Sequence, residues 1–307
     1  MKILNFGSMN IDYVYQVDHF VSAGETLSSS ELFINSGGKG LNQSIAAAKA
    51  GNIVYHAGYL GKEGTFLKDK LAENQVDVSN ISFVESSCGH AIIQVDGAGQ
   101  NCILLYGGTN QILTKEYINS VLDVFGNEGL VLLQNETNLV GYIIEEAHKR
   151  GLLVVLNAAP MDAKVLEYPL DLLDWLFVNE VEGAQIAGCA IEEEIIGVLQ
   201  EKYPNVNVLL TLGSRGAICA TNGKRYQIPC HKVSVVDTTA AGDTFCGYFT
   251  YGVLHDMEIS EALQLATTAS ALAIGKKGAS DSVPSKEEVD AVMANQELPI
   301  LEVKILD

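Results

Sequence analysis

Val236-Asp237-Thr238-Thr239-Ala240-Ala241-Gly242-Asp243-Thr244-Phe245 reads as a passage from a strand end into a helix, and the chain is read outward from it. The apolar Val233 to Val236 predicts the strand, and the small residues at 240–242 let backbone N–H groups approach a bound anion. The first turn of a helix presents unpaired N–H groups and a partial positive charge, a setting that suits phosphate. Asp243 stands inside that rim. A carboxylate there can take a proton from a hydroxyl while neighbouring amides stabilise charge on a transferring phosphoryl group. The stretch equally suits an ordinary turn whose Asp favours the first helical turn, so by itself it leaves both readings open.

On either side of this stretch, short apolar runs alternate with helical periodicity. Strands are predicted at Ile3 to Phe6, Ile53 to Tyr59, Leu130 to Leu133, Leu152 to Leu156, Trp175 to Val178 and Val206 to Thr211, with Ile218 to Ala220 as a further strand after the glycine turn at 213–216. Helices are predicted over 62–74, 115–125, 138–150, 180–187, 191–202, 243–253, 259–274 and 285–294, the 259–274 helix closed by Lys276-Lys277-Gly278. The alternation implies an α/β fold, a doubly wound and mostly parallel sheet flanked by helices. Ligands in such sheets bind beyond the carboxyl ends of the strands, where Asn10, Glu136, Asn157, Asn179, Thr211 and Asp237 fall. Residues 11–17, 30–35, 89–95 and 101–106 read as four strands without crossover helices of their own, the last two joined at Asp96-Gly97-Ala98-Gly99. They form a small accessory sheet. The core is then 1–10, 37–87 and 108–307, and the accessory part 11–36 and 88–107.

Ser36-Gly37-Gly38-Lys39-Gly40-Leu41-Asn42-Gln43 opens an Ala-rich helix that stops at Gly51. Its glycines allow backbone to approach a ligand, or simply supply positive φ angles. The spacing is not that of the phosphate-binding loop G-x-x-x-x-G-K-[ST]. Asn10 and Asp12, in the loop after the first strand, suit either hydroxyl binding or a local Asx turn. Asn179 and Glu182 have capping-box spacing, which is compatible with organising a hydrated Mg2+ on nucleotide phosphates.

Of 307 residues, 48% are hydrophobic and 19% charged, enough apolar material for a large core. A formal net charge of −19 argues against a nucleic-acid backbone as partner and means that an anionic substrate needs a local positive site. Cys88, Cys102, Cys189, Cys219, Cys230 and Cys246 show no C-x-x-C spacing and read as reduced, mostly buried thiols of a cytoplasmic protein. The N-terminal apolar run is too short for a signal peptide, and no apolar run reaches a membrane-spanning length, so no membrane partner is expected.

Six stretches, in order, resemble the ribokinase-like family of carbohydrate kinases, nearly end to end. They are Gly7-Ser8-Met9-Asn10-Ile11-Asp12, Gly24-Glu25-Thr26, Gly37-Gly38-Lys39-Gly40-Leu41-Asn42-Gln43, Asn179-Glu180-Val181-Glu182, Thr211-Leu212-Gly213-Ser214-Arg215-Gly216 and Asp237 to Phe245. The resemblance implies ATP-dependent phosphorylation of a furanose sugar at its primary hydroxyl, with Asp243 as base and Ala240, Ala241 and Gly242 as the anion hole. It implies sugar binding by Asn10, Asp12, Gly38, Asn42, Glu136 and Asp243. ATP would lie along Asn179, Thr211, Gly213, Ser214, Arg215, Gly216 and Thr267, with Mg2+ organised indirectly by Glu182. Asp237, Thr239, Ala273, Lys276, Gly278 and Ser282 would surround an activating K+, Lys276 through its backbone only. The accessory sheet would be a lid over the sugar and the contact of a homodimer. The expected sugar is D-ribose, phosphorylated on its 5-hydroxyl; the alternatives are fructose or a related ketose, deoxyribose, or a nucleoside. Three departures bear on this choice: His19-Phe20-Val21-Ser22-Ala23 precedes the Gly24-Glu25-Thr26 turn without the usual Pro, and Cys88 and Tyr106 occupy lid positions where the family commonly has other side chains.

Overall fold

The computed structural model describes residues 1–189 and 191–306. In chain order the strands and α-helices are β1 (Lys2–Phe6), β2 (Asn10–Gln16), β3 (Glu31–Gly37), α1 (Lys39–Lys49), β4 (Ile53–Leu60), α2 (Thr65–Glu73), β5 (Asp77–Phe83), β6 (Gly89–Val95), β7 (Asn101–Tyr106), α3 (Lys115–Phe125), β8 (Leu130–Gln134), α4 (Val140–Lys149), β9 (Leu153–Asn157), β10 (Trp175–Asn179), α5 (Glu180–Ala187), α6 (Glu192–Lys202), β11 (Asn207–Thr211), β12 (Ala217–Thr221), β13 (Lys224–Ile228), α7 (Ala241–Leu254), α8 (Ile259–Ile274), α9 (Lys286–Ala294) and β14 (Lys304–Leu306).

β1 lies between β4 and β8, parallel to both. From it the chain winds outward through β4 and β5, then returns and winds the other way through β8, β9, β10 and β11, all parallel. β12, β13 and β14 close that edge as antiparallel strands. The winding direction therefore reverses between β1 and β8, which makes the crevice above their carboxyl ends the expected ligand position. The doubly wound, mostly parallel α/β architecture expected from the alternation is the one observed.

Period-two alternation assigns each strand residue to a helical layer. Ile3, Leu130, Leu132 and Leu209 pack with α1, α2, α7, α8 and α9 on one face. Leu4, Phe6, Val131, Leu133, Val208 and Leu210 pack with α3, α4, α5 and α6 on the other. Burial on both faces is why these strands read as continuous apolar runs rather than alternating ones. α7 packs against both α1 and α8, so its first turn is held from two sides.

The four accessory strands form one separate sheet ordered β3-β2-β6-β7, with β2 and β6 parallel at its centre and an antiparallel strand on each side. Asn10 and Asp12 belong to strand β2 rather than to a loop.

Other expectations are corrected. Val233 to Val236 is not a strand: the segment runs as irregular chain, and the Val236 N–H donates to the Ile274 carbonyl at the end of α8 (2.8 Å). α8 ends at Ile274, so Lys276 and Lys277 lie beyond it rather than in its last turn. β5, β13 and β14 are additional strands, all at the sheet's margins. Of the six thiols, Cys88, Cys219 and Cys246 are buried, whereas Cys102 is exposed and Cys189 and Cys230 are half-buried; all are free. Among the described residues no helix is long and apolar enough to cross a membrane.

Candidate active site

Asp243 is the third residue of α7, and its carboxylate is only 7% exposed. It is gripped from α1: the Gln43 side-chain amide donates to Oδ1 at 2.9 Å and Asn42 donates to Oδ2 at 3.3 Å. α7 starts abruptly because Ala240 takes a left-handed conformation (φ 60°, ψ 11°) and offers no side-chain cap. That conformation is costly for a residue with a Cβ. The Ala241 N–H makes a long 3.2 Å bond to the Thr238 carbonyl, and Ala241 and Gly242 both face an open cleft.

α1 can bring its side chains this close because of two glycines. Gly38, at φ +95°, is its N-cap, and a Cβ on Gly40 would lie 2.2 Å from the Ser8 backbone nitrogen. The loop after β1 and the first turn of α1 thus interlock, with the Gly40 N–H donating to the Ser8 hydroxyl at 3.1 Å. Glu136, just beyond β8, ties them together, accepting from the Ser8 hydroxyl and from the Lys39 N–H (2.8 Å).

On the β2 side, Asn10 and Asp12 join this group. Asn110 donates to Asn10 Oδ1 at 2.7 Å, fixing which way that amide faces. Asp12 is half-buried; desolvation, with the negative charge of Glu136 added, pushes its carboxyl up to about 7. The Oδ1 of Asn42 is buried and lacks a protein partner, as expected of a group reserved for a ligand hydroxyl. Gly38 packs against Ser8 and Asn10, Asp12 feels the charge of Glu136, and Lys39 feels those of Asp243 and Glu136, so these residues and Asn42 form one neighbourhood. Lys39 adds the cation that the sequence reading left without a role. The Asp243 carboxylate, with Glu136 and Glu182 behind it, holds this ammonium above its ordinary value against partial burial.

Across the α7 N-terminus lies a cleft of about 630 Å³ lined by Thr211, Gly213, Ser214, Gly216 and Thr267, with Ala241 and Gly242 at its inner end. Val233, Val235, Phe245, Ala271 and Ile274 give it an apolar wall, large enough for a flat aromatic base. Asn179 and Arg215 are not among its lining residues. Asn179 spends its side-chain oxygen capping α5, in a complete capping box with Glu182, and Arg215 pairs with Glu180 at 3.6 Å. Glu182 is buried, and desolvation raises its carboxyl above the ordinary value. Among the described residues no cluster of three His, Cys, Asp or Glu side chains is built to cage a metal. A second groove of about 680 Å³, lined by Met257, Gln264, Val292, Met293 and Leu301, shares none of these residues.

Behind the α7 start, Asp237 accepts from the Thr239 N–H (2.9 Å), the Thr239 hydroxyl (2.6 Å) and the Gly278 N–H (3.0 Å). Partial burial opposes its ionisation, but those hydrogen bonds and nearby Lys277 prevail, and its carboxyl sits below the usual range. The Ala273 carbonyl accepts from the Lys276 N–H at 3.0 Å, while the Lys276 ammonium pairs with Glu288 at 3.1 Å. Ser282 is fully buried, its hydroxyl donating to the Ala279 carbonyl. The Asp237 carboxylate, the Thr239 and Ser282 hydroxyls and the Ala273 carbonyl are oxygen donors of the kind that suits a hard cation.

The chain matches the pfkB family carbohydrate kinase model over residues 1–286. It is 34% identical over 293 residues to a ribokinase of Haemophilus influenzae, covering 92% of this chain and 95% of that protein. The crystal structure of ribokinase from Cryptococcus neoformans var. grubii in complex with ADP superposes with a TM-score of 0.84 at 32% identity, covering 94% of this chain and 99% of that one. The structure of Arabidopsis thaliana ribokinase complexed with ribose and ATP gives a TM-score of 0.84 at 28% identity, covering 95% and 98%.

Proposed function

The chain belongs to the pfkB family of carbohydrate kinases and is an ATP-dependent sugar kinase, and we propose that it transfers the γ-phosphoryl group of ATP to the 5-hydroxyl of D-ribose, with Asp243 as general base. The observation that carries this reading is the position of Asp243. Its buried carboxylate is bonded to Asn42 and Gln43 of α1 and directly follows Ala241 and Gly242, which line a cleft of nucleotide size at the start of α7.

The roles follow from that placement. Asn10, Asp12, Asn42 and Glu136 hold the ring hydroxyls, with the Gly38 backbone against the sugar. The 5-hydroxyl then points at Asp243. Asp243 takes its proton as the oxygen forms a bond to the γ-phosphorus, and the bond from phosphorus to the β,γ-bridging oxygen breaks in line to release ADP. Charge on the equatorial oxygens meets the N–H groups of Ala240, Ala241 and Gly242. Lys39 supplies positive charge to an otherwise acidic crevice. Thr211, Gly213, Ser214, Gly216 and Thr267 line the nucleotide, and Asn179 and Arg215 act from the rim.

A Mg2+ ion fits as a passenger of the nucleotide phosphates, neutralising their charge. The nearby protein group, Glu182, is a single carboxylate already bonded to the Asn179 N–H, and reaches the ion through water. A K+ ion fits the oxygens of Asp237, Thr239, Ala273, Lys276, Gly278 and Ser282. There it would stabilise the loop leading into the anion hole. The accessory sheet, with Leu32, Phe33, Ile34, Leu104 and Leu105 exposed, serves as a lid whose apolar surface pairs with a second copy in a homodimer. The formal net charge of −19 disfavours a nucleic-acid partner, and the cytoplasm is the proposed location.

A substrate panel with coupled ADP detection tests the sugar. The reading expects the highest kcat/KM for D-ribose; a much higher value for fructose, deoxyribose or adenosine would replace it.

A further inference from the structure

We propose that Gln43 and Gln134 form a two-amide relay that aims the Asp243 carboxylate, leaving Oδ2 as the oxygen that takes the proton. This rests on Asp243 being the base. Both are positioning residues that touch neither substrate in that reading.

The relay has one possible polarity. An ionised carboxylate only accepts hydrogen bonds, so Gln43 must turn its NH2 group toward Asp243 Oδ1, at 2.9 Å. Its carbonyl oxygen then faces the other way, where Gln134 Nε2 donates to it at 2.7 Å. Each amide is oriented by the next, and the last is fixed to the sheet, because Gln134 is the final residue of β8. The line thus runs from the end of β8, through the second turn of α1, to the first turn of α7.

Two further observations favour a directing role over mere packing. Gln43 and Gln134 are 0% and 1% exposed, so neither needs a polar end to meet solvent. Gln134 Oε1 also has no partner, a cost that a Leu or Met of similar size would avoid. Retaining an amide there makes physical sense for its donor, whose one acceptor is Gln43. The grip on Asp243 is unequal as well. Oδ1 is held at 2.9 Å by the relay, whereas the Asn42 contact to Oδ2 is a long 3.3 Å, which a sugar hydroxyl can displace. Without the Gln134 donor, the Gln43 oxygen loses its partner and the amide is no longer pinned from the sheet, so its hold on Asp243 Oδ1 loosens.

The test uses the full-length enzyme with Gln134→Leu, Gln134→Met and Gln134→Glu, beside Asp243→Asn as reference, measuring kcat and ribose KM from pH 5.5 to 9. The relay predicts that Leu and Met lower kcat about 10-fold, equal to about 1.4 kcal/mol, while KM changes less than about 2-fold. Gln134→Glu keeps a donor only while its new carboxyl is protonated. Its kcat should approach wild type at low pH and fall as that carboxyl ionises, a descending limb that wild type and the Leu variant lack. Near wild-type kcat in the Leu and Met variants overturns the relay, as does a Glu variant whose profile parallels wild type. Should Leu and Met fail to fold, as read by ADP binding and thermal midpoint, the Glu profile decides alone. An active Asp243→Asn variant would instead refute the base; an inactive one beside unaffected Gln134 variants refutes only the relay.

Discussion

Sugar binding should release a proton, because Asp12 enters the reaction with its carboxyl near pH 7. That carboxyl is raised by partial burial and by Glu136, with no compensating donor among the described residues. Ribose hydroxyls would supply the missing donors and stabilise the ionised form. If binding returns Asp12 to its ordinary value, affinity scales with the fraction already ionised in the free enzyme. That fraction is about one-tenth at pH 6 and nine-tenths at pH 8, so Kd should be about tenfold weaker at pH 6. Tenfold is an upper bound, since a protonated carboxyl still offers one acceptor oxygen and one donor. The sign is fixed: a raised acid favours binding as pH increases. Calorimetry of ribose binding without nucleotide, in buffers of different ionisation enthalpy, reads the affinity and the proton together. At pH 6 it should record close to one proton released, and Asp12→Asn should abolish both the release and the pH slope. A pH-independent Kd with no proton released would refute the reasoning.

Other outcomes follow from the same structure. His56 is fully buried between the Ser44 hydroxyl and the Gly7 carbonyl, and desolvation lowers its imidazole to about 4. Its unfolded form takes up a proton near pH 6.5, so stability is lost as pH falls through that window. The loss is about 2 kcal/mol between pH 8 and pH 5, and urea denaturation of wild type against His56→Asn should show it. Sedimentation equilibrium should return twice the 32.9 kDa chain mass. Leu104→Glu should return the single chain with its fold intact; a monomeric wild type would reject the lid contact. Exchanging K+ for Na+ should lower turnover several-fold at saturating ATP, and equal rates in both salts would remove K+ from the Asp237 loop.

The fold was legible where both faces of a strand are covered, because burial on both sides writes an apolar run such as Leu130 to Leu133. It was illegible at the margins. β5 (Asp77–Phe83) covers only part of itself and intersperses Ser79, Asn80 and Ser82 among its apolar residues, and β13 is mostly polar. Val233 to Val236 misled for the opposite reason: Val233 and Val235 line a cleft instead of a sheet. In the site, motif residues such as Asp243, Asn42 and Gly38 stood out because chemistry needs them close in sequence. Gln134 and Asn110 did not. Their partners lie 91 and 100 residues away, a relation fixed only when β8 docks beside β1 and the accessory sheet meets the core.

The most direct measurement is single-turnover phosphoryl transfer by Asp243→Asn with saturating ribose, ATP and Mg2+ in K+ buffer. Removing the proton acceptor while keeping its shape should leave nucleotide binding near wild type and slow transfer by about a hundredfold or more. Transfer at the wild-type rate would contradict the account at its centre.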